Sequence, residues 1–236
     1  MAYMRLAQYL ALTGLCSRKQ AGRYITDGAI TFDGQPAQHI DRIEVSQAAQ
    51  HDIRCHGQKV GLPESKSYWL FNKPVGVDCR LLEHDANSLL HLLPTSPRLF
   101  PVGRLDKDSR GLLLLTNDGA LSHKLMHPDF YHHKTYQVQV NQAIDDNFIQ
   151  KMSQGVAYKD VVTRPCQVRQ LNADQFEIVL TQGLNRQIRR MSQALGYHVI
   201  DLNRTDLMQL NLGELAMGEM RQLETAEVAS LWASLA

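Results

Sequence analysis

Phe100-Pro101-Val102-Gly103-Arg104-Leu105-Asp106-Lys107-Asp108-Ser109-Arg110-Gly111-Leu112-Leu113-Leu114-Leu115-Thr116 sets a charged, glycine-bracketed turn directly against four leucines. Leu112–Thr116, which holds the purely apolar run Leu112 to Leu115, reads as β-like. The turn before it concentrates acids and bases where only a change of direction is needed. Asp106 follows an apolar residue at the rim of a predicted strand, where a carboxylate can be held in a cleft, and Arg104 lies two residues earlier on the same face. A solvated turn with an incidental ion pair is the plain alternative for this loop taken alone.

Working outward, β-like patterns recur at Tyr68–Asn72, Thr135–Val140, Thr163–Arg169, Phe176–Leu180 and Val199–Asn203. Helical patterns fall at Leu121–Met126, Asp145–Met152 and Arg186–Leu195. The helices are too few and too irregularly placed for a doubly wound parallel sheet, so this part is expected to be a strand-rich α+β body. Upstream, Leu6, Tyr9, Leu10 and Leu12 predict an amphipathic helix that stops at Gly14. Ser17 to Gln20 has capping-box spacing and opens a second helix running to Ile25. Ile30 and Phe32 alternate as a strand, and Asp33-Gly34 is a tight-turn dipeptide. Gly57–Ser67, with Gly61, Pro63, Glu64 and Ser65, reads as a connector. The expected organisation is a small module over residues 1–60, a linker over 61–67 and a second domain over 68–236.

Composition narrows the class. With 236 residues, 44% hydrophobic and 21% charged, the chain is an ordinary globular protein of one to two domains. No stretch approaches the ~18 uninterrupted apolar residues of a membrane span. The N-terminus resembles neither a secretory signal nor a transit peptide, so a cytoplasmic location is expected. Cys16, Cys55, Cys79 and Cys166 form no C-x-x-C pair and read as free thiols. The ten histidines form no H-E-x-x-H, so no metal site is expected. Net charge is only +1, but it is polarised: Arg5, Arg18, Lys19 and Arg23 stand among the first 26 residues without an acid. That is the footprint of a polyanion contact, or else of a merely solvated helical face.

Three further segments carry chemistry. In Gln182-Gly183-Leu184-Asn185-Arg186-Gln187-Ile188-Arg189-Arg190-Met191 a turn opens a helix whose Ile188, Met191 and Leu195 form a core stripe. Arg186, Arg189 and Arg190 oppose the helix dipole in its first two turns, a broken local rule expected where an anion is held. Arg186 and Arg190 point away from the stripe, suited to phosphates, while Arg189 flanks it and can reach a carboxylate or serve packing. Lys134-Thr135-Tyr136-Gln137-Val138-Gln139-Val140 alternates as a strand with Lys134 and Tyr136 on one face, where a base could stack on Tyr136 or the ring could be core. Lys73-Pro74-Val75-Gly76 marks a constrained turn.

Arg104-Leu105-Asp106, Lys134-Thr135-Tyr136 and Gln187-Ile188-Arg189, in this order and spacing, resemble the pseudouridine synthases. Residues 5 to about 60, with Arg5-Leu6, Gly14-x-Cys16-Ser17-Arg18 and Asp33-Gly34, resemble the small S4 RNA-binding module. Residues from about 67 onward resemble the catalytic domain of the RsuA-type synthases, and the Gly103–Ser109 and Gly183–Met191 segments are most similar to the RluF branch. The resemblance implies an α+β fold: an S4-like α/β module followed by a mixed, mainly antiparallel-sheet catalytic domain. It implies isomerisation of uridine to pseudouridine in large-subunit ribosomal RNA, and also in a transfer RNA stem-loop, with no cofactor and no metal. By the family pattern Asp106 is the essential carboxylate, Tyr136 lies against the flipped base, and Arg189 pairs with Asp106. Lys73 to Gly76 matches the first family motif, and Arg104 helps fill the space of the extruded base. Lys134, Arg186, Arg190 and the cations at 5, 18, 19 and 23 are candidate RNA contacts.

Physical chemistry is consistent with those roles. Cleaving a nucleoside bond develops positive character on the sugar, which a carboxylate near C1′ stabilises or attacks. A stacked uridine cannot expose C1′ and C5 together, so it must be extruded. Asp33 stands where the S4 turn usually has Asn, and Gly22 where an acid is common. The chain ends at Ala236 without the long basic tail of some relatives. The competing classes are a non-catalytic RNA-binding or ribosome-assembly protein and, further off, a nucleoside or glycoside hydrolase, which would need a second acid across the bond. A monomer is the default expectation.

Overall fold

The computed structural model of the chain describes residues 3–127 and 132–235, folded as two compact units. The first comprises residues 1–67 together with Pro94–Leu99, and the second residues 68–93 and 100–236.

In the first unit the helices Leu6–Leu12 and Arg18–Thr26 sit against short sheets. Tyr3–Arg5 pairs with Arg42–Glu44, and Ile30–Phe32 lies between Gln35–Pro36 and Ile53–Cys55. Ser17 caps the second helix by accepting the Gln20 amide at 3.1 Å, as its spacing predicts. The Gln20 side chain does not return the bond; it donates to the Tyr24 hydroxyl at 2.9 Å. Asp33 and Gly34 take φ of 50° and 81°, the double left-handed step of a two-residue hairpin. Leu6, Tyr9, Leu10, Ala21, Ile25, Ile30, Ile43 and Ile53 close its core. At about 1.5–3 kcal/mol for each large aliphatic side chain buried, this core accounts for a module held together without disulfides.

Residues 61–67 are not a loose connector. The Glu64 amide donates to the Leu12 carbonyl at 2.8 Å. Its carboxylate accepts from Ser96 Oγ at 3.1 Å and from the Arg98 amide at 3.0 Å. The segment is largely exposed, and these Glu64 hydrogen bonds reach residues more than thirty positions away.

The second unit is built on a nine-stranded sheet. Its order is Gln167–Asn172, Gln175–Leu180, Lys134–Val140, Val199–Leu207, Arg110–Thr116, Tyr68–Lys73 and Met220–Gln222, with Leu210–Asn211 and Phe100–Pro101 attached at the side. Arg110–Thr116 and Val199–Leu207 run parallel, pairing Asn203 with Arg110 and Arg204 with Gly111. The other ladders among the described residues are antiparallel. Leu112, Leu113, Leu114 and Leu115 are all 0% exposed, which is why this strand carries no polar alternation. The strand expected from Thr163 begins only at Gln167, and the one expected to end at Asn203 runs on to Leu207. A C-terminal helix, Thr225–Ala233, was not anticipated; Leu231 and Leu235 bury against Leu70, Leu112 and Leu121. No helix among the described residues is long and apolar enough to cross a membrane.

Candidate active site

A cavity of about 580 Å³ opens in the second unit above the centre of the sheet. It is lined by the turn from Gly103, by Lys134 and Tyr136 of the strand Lys134–Val140, and by the Gln182–Ile188 segment. Asp106, Tyr136, Arg104, Lys134 and Arg186, drawn from three separated segments, all line it.

Asp106 is held by its backbone. Its carbonyl accepts the Ser109 amide at 3.0 Å, which closes the turn, and the Leu105 amide before it reaches Cys79 Sγ at 3.4 Å. Its side chain is 30% exposed, and the nearest cation is Arg186, Nη1 to Oδ2 3.9 Å. Among the described residues the carboxylate accepts no hydrogen bond, which leaves its lone pairs available to a substrate.

The expected partner of that carboxylate is Arg189, and here the structure differs. Arg189 donates through Nη2 to the Asp108 carbonyl at 2.7 Å and through Nη1 to the Val199 carbonyl at 3.0 Å, with Nε 3.4 Å from the Asp108 carboxylate. Its position flanking the core stripe carries it beneath the turn, one step past Asp106. Arg186, expected to face outward to phosphates, instead grips Asp108 with both arms at 2.9 and 2.7 Å. That fork holds the Asp108 carboxyl below the usual carboxylate range. Arg186 reaches it from a left-handed backbone, φ 51°, an uncommon conformation for a non-glycine residue. Arg190 bonds Asn185 Oδ1 at 2.8 Å and is absent from the cavity wall.

Lys73 is not an RNA contact. It is 0% exposed, and its ammonium donates to the carbonyls of Pro74 and Val77 at 2.9 and 2.8 Å. Those bonds shape the turn from which the Gly76 amide reaches the Lys107 carbonyl at 2.7 Å. The first motif therefore braces the Asp106 loop from below. Burial pushes the Lys73 pKa down, and the nearby Cys79, Asp108, Asp78 and Asp106 oppose that shift.

Tyr136 sits where alternation places it, on the same face as Lys134, and packs against the core around Val138 and Ile178. Its cross-strand partner is Arg204, which the sequence reading passed over. An arginine between Leu202 and Leu207 in a strand pattern is the local signal that was available. Arg204 is 3% exposed and donates through Nε to the Leu112 carbonyl at 2.7 Å. Six cationic side chains, Arg80, Arg104, Lys107, Lys134, Arg186 and Arg204, line the cavity against two carboxylates, Asp78 and Asp106. The net cationic lining suits a polyanionic substrate, with one carboxylate free for chemistry. Among the described residues no three His, Cys, Asp or Glu side chains gather as a metal-ligand set.

The sequence model of RNA pseudouridylate synthases matches residues 67–194, the stretch that builds most of this cavity. The chain belongs to the RNA pseudouridylate synthase family. The synthase is 38% identical over 231 residues to the dual-specificity RNA pseudouridine synthase RluF of Escherichia coli, covering 97% of this chain and 78% of that protein. It is 33% identical to the ribosomal large subunit pseudouridine synthase B of Bacillus subtilis, over 96% of this chain and 95% of the relative. To the ribosomal small subunit pseudouridine synthase A of Escherichia coli it is 31% identical, over 97% and 100%. A crystal structure of a pseudouridylate synthase superposes with a TM-score of 0.69 at 27% identity, covering 97% of this chain and 99% of that one. The chain is thus an RsuA-type RNA pseudouridine synthase of the RluF branch.

Proposed function

We propose that this synthase converts a uridine of large-subunit ribosomal RNA to pseudouridine, that a transfer RNA stem-loop is a second substrate, and that it acts as a cytoplasmic monomer without a cofactor. The observation that carries the reading is the Asp106 carboxylate, unbonded and part-exposed in a cationic cavity that also holds Tyr136. The names of the relatives, which include a dual-specificity RNA enzyme and a large-subunit enzyme, support the substrate class.

In this reading the uridine is extruded from its stack at a cost of a few kcal/mol, offset by stacking and phosphate contacts, and enters the cavity beside Tyr136. As the C1′–N1 bond breaks, positive character grows on the sugar and Asp106 meets it, by electrostatic stabilisation or by a bond to C1′. The uracil turns and C5 joins C1′. Arg186 keeps a positive charge 3.9 Å from the Asp106 carboxylate and lines the cavity with it. The first unit, read as S4-like, adds backbone contacts through Arg5, Arg18, Lys19 and Arg23, all of them exposed.

The test is pseudouridine formation, read by chemical-adduct reverse-transcription stops, on large-subunit ribosomal RNA and on total transfer RNA, with the parent and with Asp106→Ala. One uridine converted by the parent alone supports both chemistry and substrate. Binding of RNA by both proteins with no conversion by either would overturn the catalytic assignment.

A further inference from the structure

Lys134 and Arg204 form a pair of cations in the wall of the cavity with no anion assigned to them. Neither has a carboxylate within ion-pair distance among the described residues. Lys134 spends one of its three donors on the His132 carbonyl at 3.1 Å. Arg204 spends Nε on the Leu112 carbonyl, and its Nη2 is buried with no hydrogen-bond partner among the described residues. The two repel: burial, then the Arg204 charge, pushes the Lys134 pKa down. Lys134 is flanked across both of its ladders by apolar residues, Leu180 on one side and Leu207 on the other, which do nothing to solvate it. Placing uncompensated cations in such surroundings is costly, and a hydrophobic residue at either position would relieve it. Arg204 stands opposite Tyr136 in the register, so both cations share the face on which the base is read to lie.

We propose that Lys134 and Arg204 stabilise the negative charge that develops on the uracil as it leaves the sugar. The inference rests on the functional reading above and deepens it. When the C1′–N1 bond breaks heterolytically the electron pair passes to N1 and is shared with O2 and O4, while the electron deficit stays at C1′ beside Asp106. No redox partner is required: the pair returns when C5 bonds to C1′, C5 then gives up its proton and N1 takes one up, so no atom or charge is gained or lost overall. Lys134 has two donors left for a uracil oxygen. Arg204, only 3% exposed in that wall, acts through space, where the low dielectric keeps its charge effective without a direct hydrogen bond. Fixed cations also disfavour cytosine, which would present an amino group where uracil presents a carbonyl oxygen.

The experiment is single-turnover kinetics of Lys134→Met on the RNA the parent converts, with RNA affinity measured separately. The comparison substrate carries 5-fluorouridine at the same position; its base is a better leaving group, and because fluorine stands in place of the C5 proton the reaction is read there as loss of the C1′–N1 bond. Loss of one buried donor to a developing anion typically costs 10²–10³-fold. The expected result is a rate about 100-fold lower on uridine, at least several-fold less loss on 5-fluorouridine, and an unchanged RNA Kd. Arg204→Lys, which keeps the charge, is expected to retain more of the rate than Arg204→Gln. Weaker RNA binding with an unchanged rate would make the pair a phosphate anchor and overturn the proposal. Equal losses on the two substrates would make the lysine structural and overturn it too. A parent that converts no uridine would instead overturn the functional reading on which the proposal stands.

Discussion

Arg186 binds Asp108 through both arms of its guanidinium, at 2.9 and 2.7 Å, while its Nη1 stays 3.9 Å from Asp106. Asp108 thus fixes where the positive charge beside the reactive carboxylate sits. Both side chains are more than 40% exposed, so the pair contributes under about 1 kcal/mol to stability. Asp108→Asn is therefore expected to fold normally yet to lose about tenfold or more in the rate on bound RNA, because a displaced charge misplaces the reacting group. Thermal melting alongside single-turnover assays checks this. A large fall in melting temperature with an unchanged rate would show the fork to be structural.

Lys73 separates positioning from RNA contact. Lys73→Met removes the donors that hold the Pro74 and Val77 carbonyls, and with them the turn that braces Lys107. The expected outcome is a loss of about 2–3 kcal/mol in stability and a lower rate, with the salt dependence of RNA binding unchanged, since a group at 0% exposure neutralises no phosphate. A triple replacement of Arg18, Lys19 and Arg23 by alanine, all exposed on one helix, is expected to reduce the salt slope by about 2–3 and to leave the rate on bound RNA nearly intact. Filter binding across a salt series distinguishes the two variants.

What could be read from the sequence was local. Ser17 caps its helix, Asp33-Gly34 makes its turn, and Lys134 shares a face with Tyr136, because each depends on residues within four positions. The four leucines could be read as β-like but not placed within the sheet; their burial on both faces, which removes alternation, is seen only in the structure. What could not be read was the choice between near-identical partners far apart in the chain. Helical geometry lets Arg189 reach inward to a carboxylate and the resemblance points to Asp106, but two carboxylates lie in that turn two residues apart, and only its packing selects Asp108. The same holds for Glu64, which looks like linker until Ser96 and Arg98 meet it. Arg204 is a buried cation whose partner strand lies more than sixty residues away.

Gly111 marks where the parallel pair approaches most closely. It has φ +105°, and a Cβ there would collide with the Arg204 carbonyl and the Asn203 side chain and lie 2.7 Å from the Arg204 amide. Two of these obstacles are backbone and cannot swing aside. Gly111→Ala is expected to cost about 3 kcal/mol and to shift the Arg204 strand, lowering activity more than RNA affinity. Denaturant unfolding measures the first, and a stability change below 0.5 kcal/mol would contradict the tight approach.

Acid sensitivity follows from Asp78, on the cavity wall. Arg80 donates to it through Nε, Nη2 and the backbone amide, at 2.9, 2.6 and 2.8 Å, and these hydrogen bonds draw its pKa down from 3.8 to about 2. A carboxylate depressed in the folded state contributes stability that is fully present above its unfolded value and is lost as pH falls through the folded one. The contribution is therefore intact at pH 6, erodes below about 4 and is gone below about 2. Asp78→Asn is expected to melt at a lower temperature than the parent at pH 6, with the gap narrowing steadily as the buffer is taken from pH 4 to pH 3. A gap of the same size at pH 6 and pH 3 would mean that the loop is held by the Asn87 and Leu89 backbone bonds to residue 78 and owes nothing to the charge.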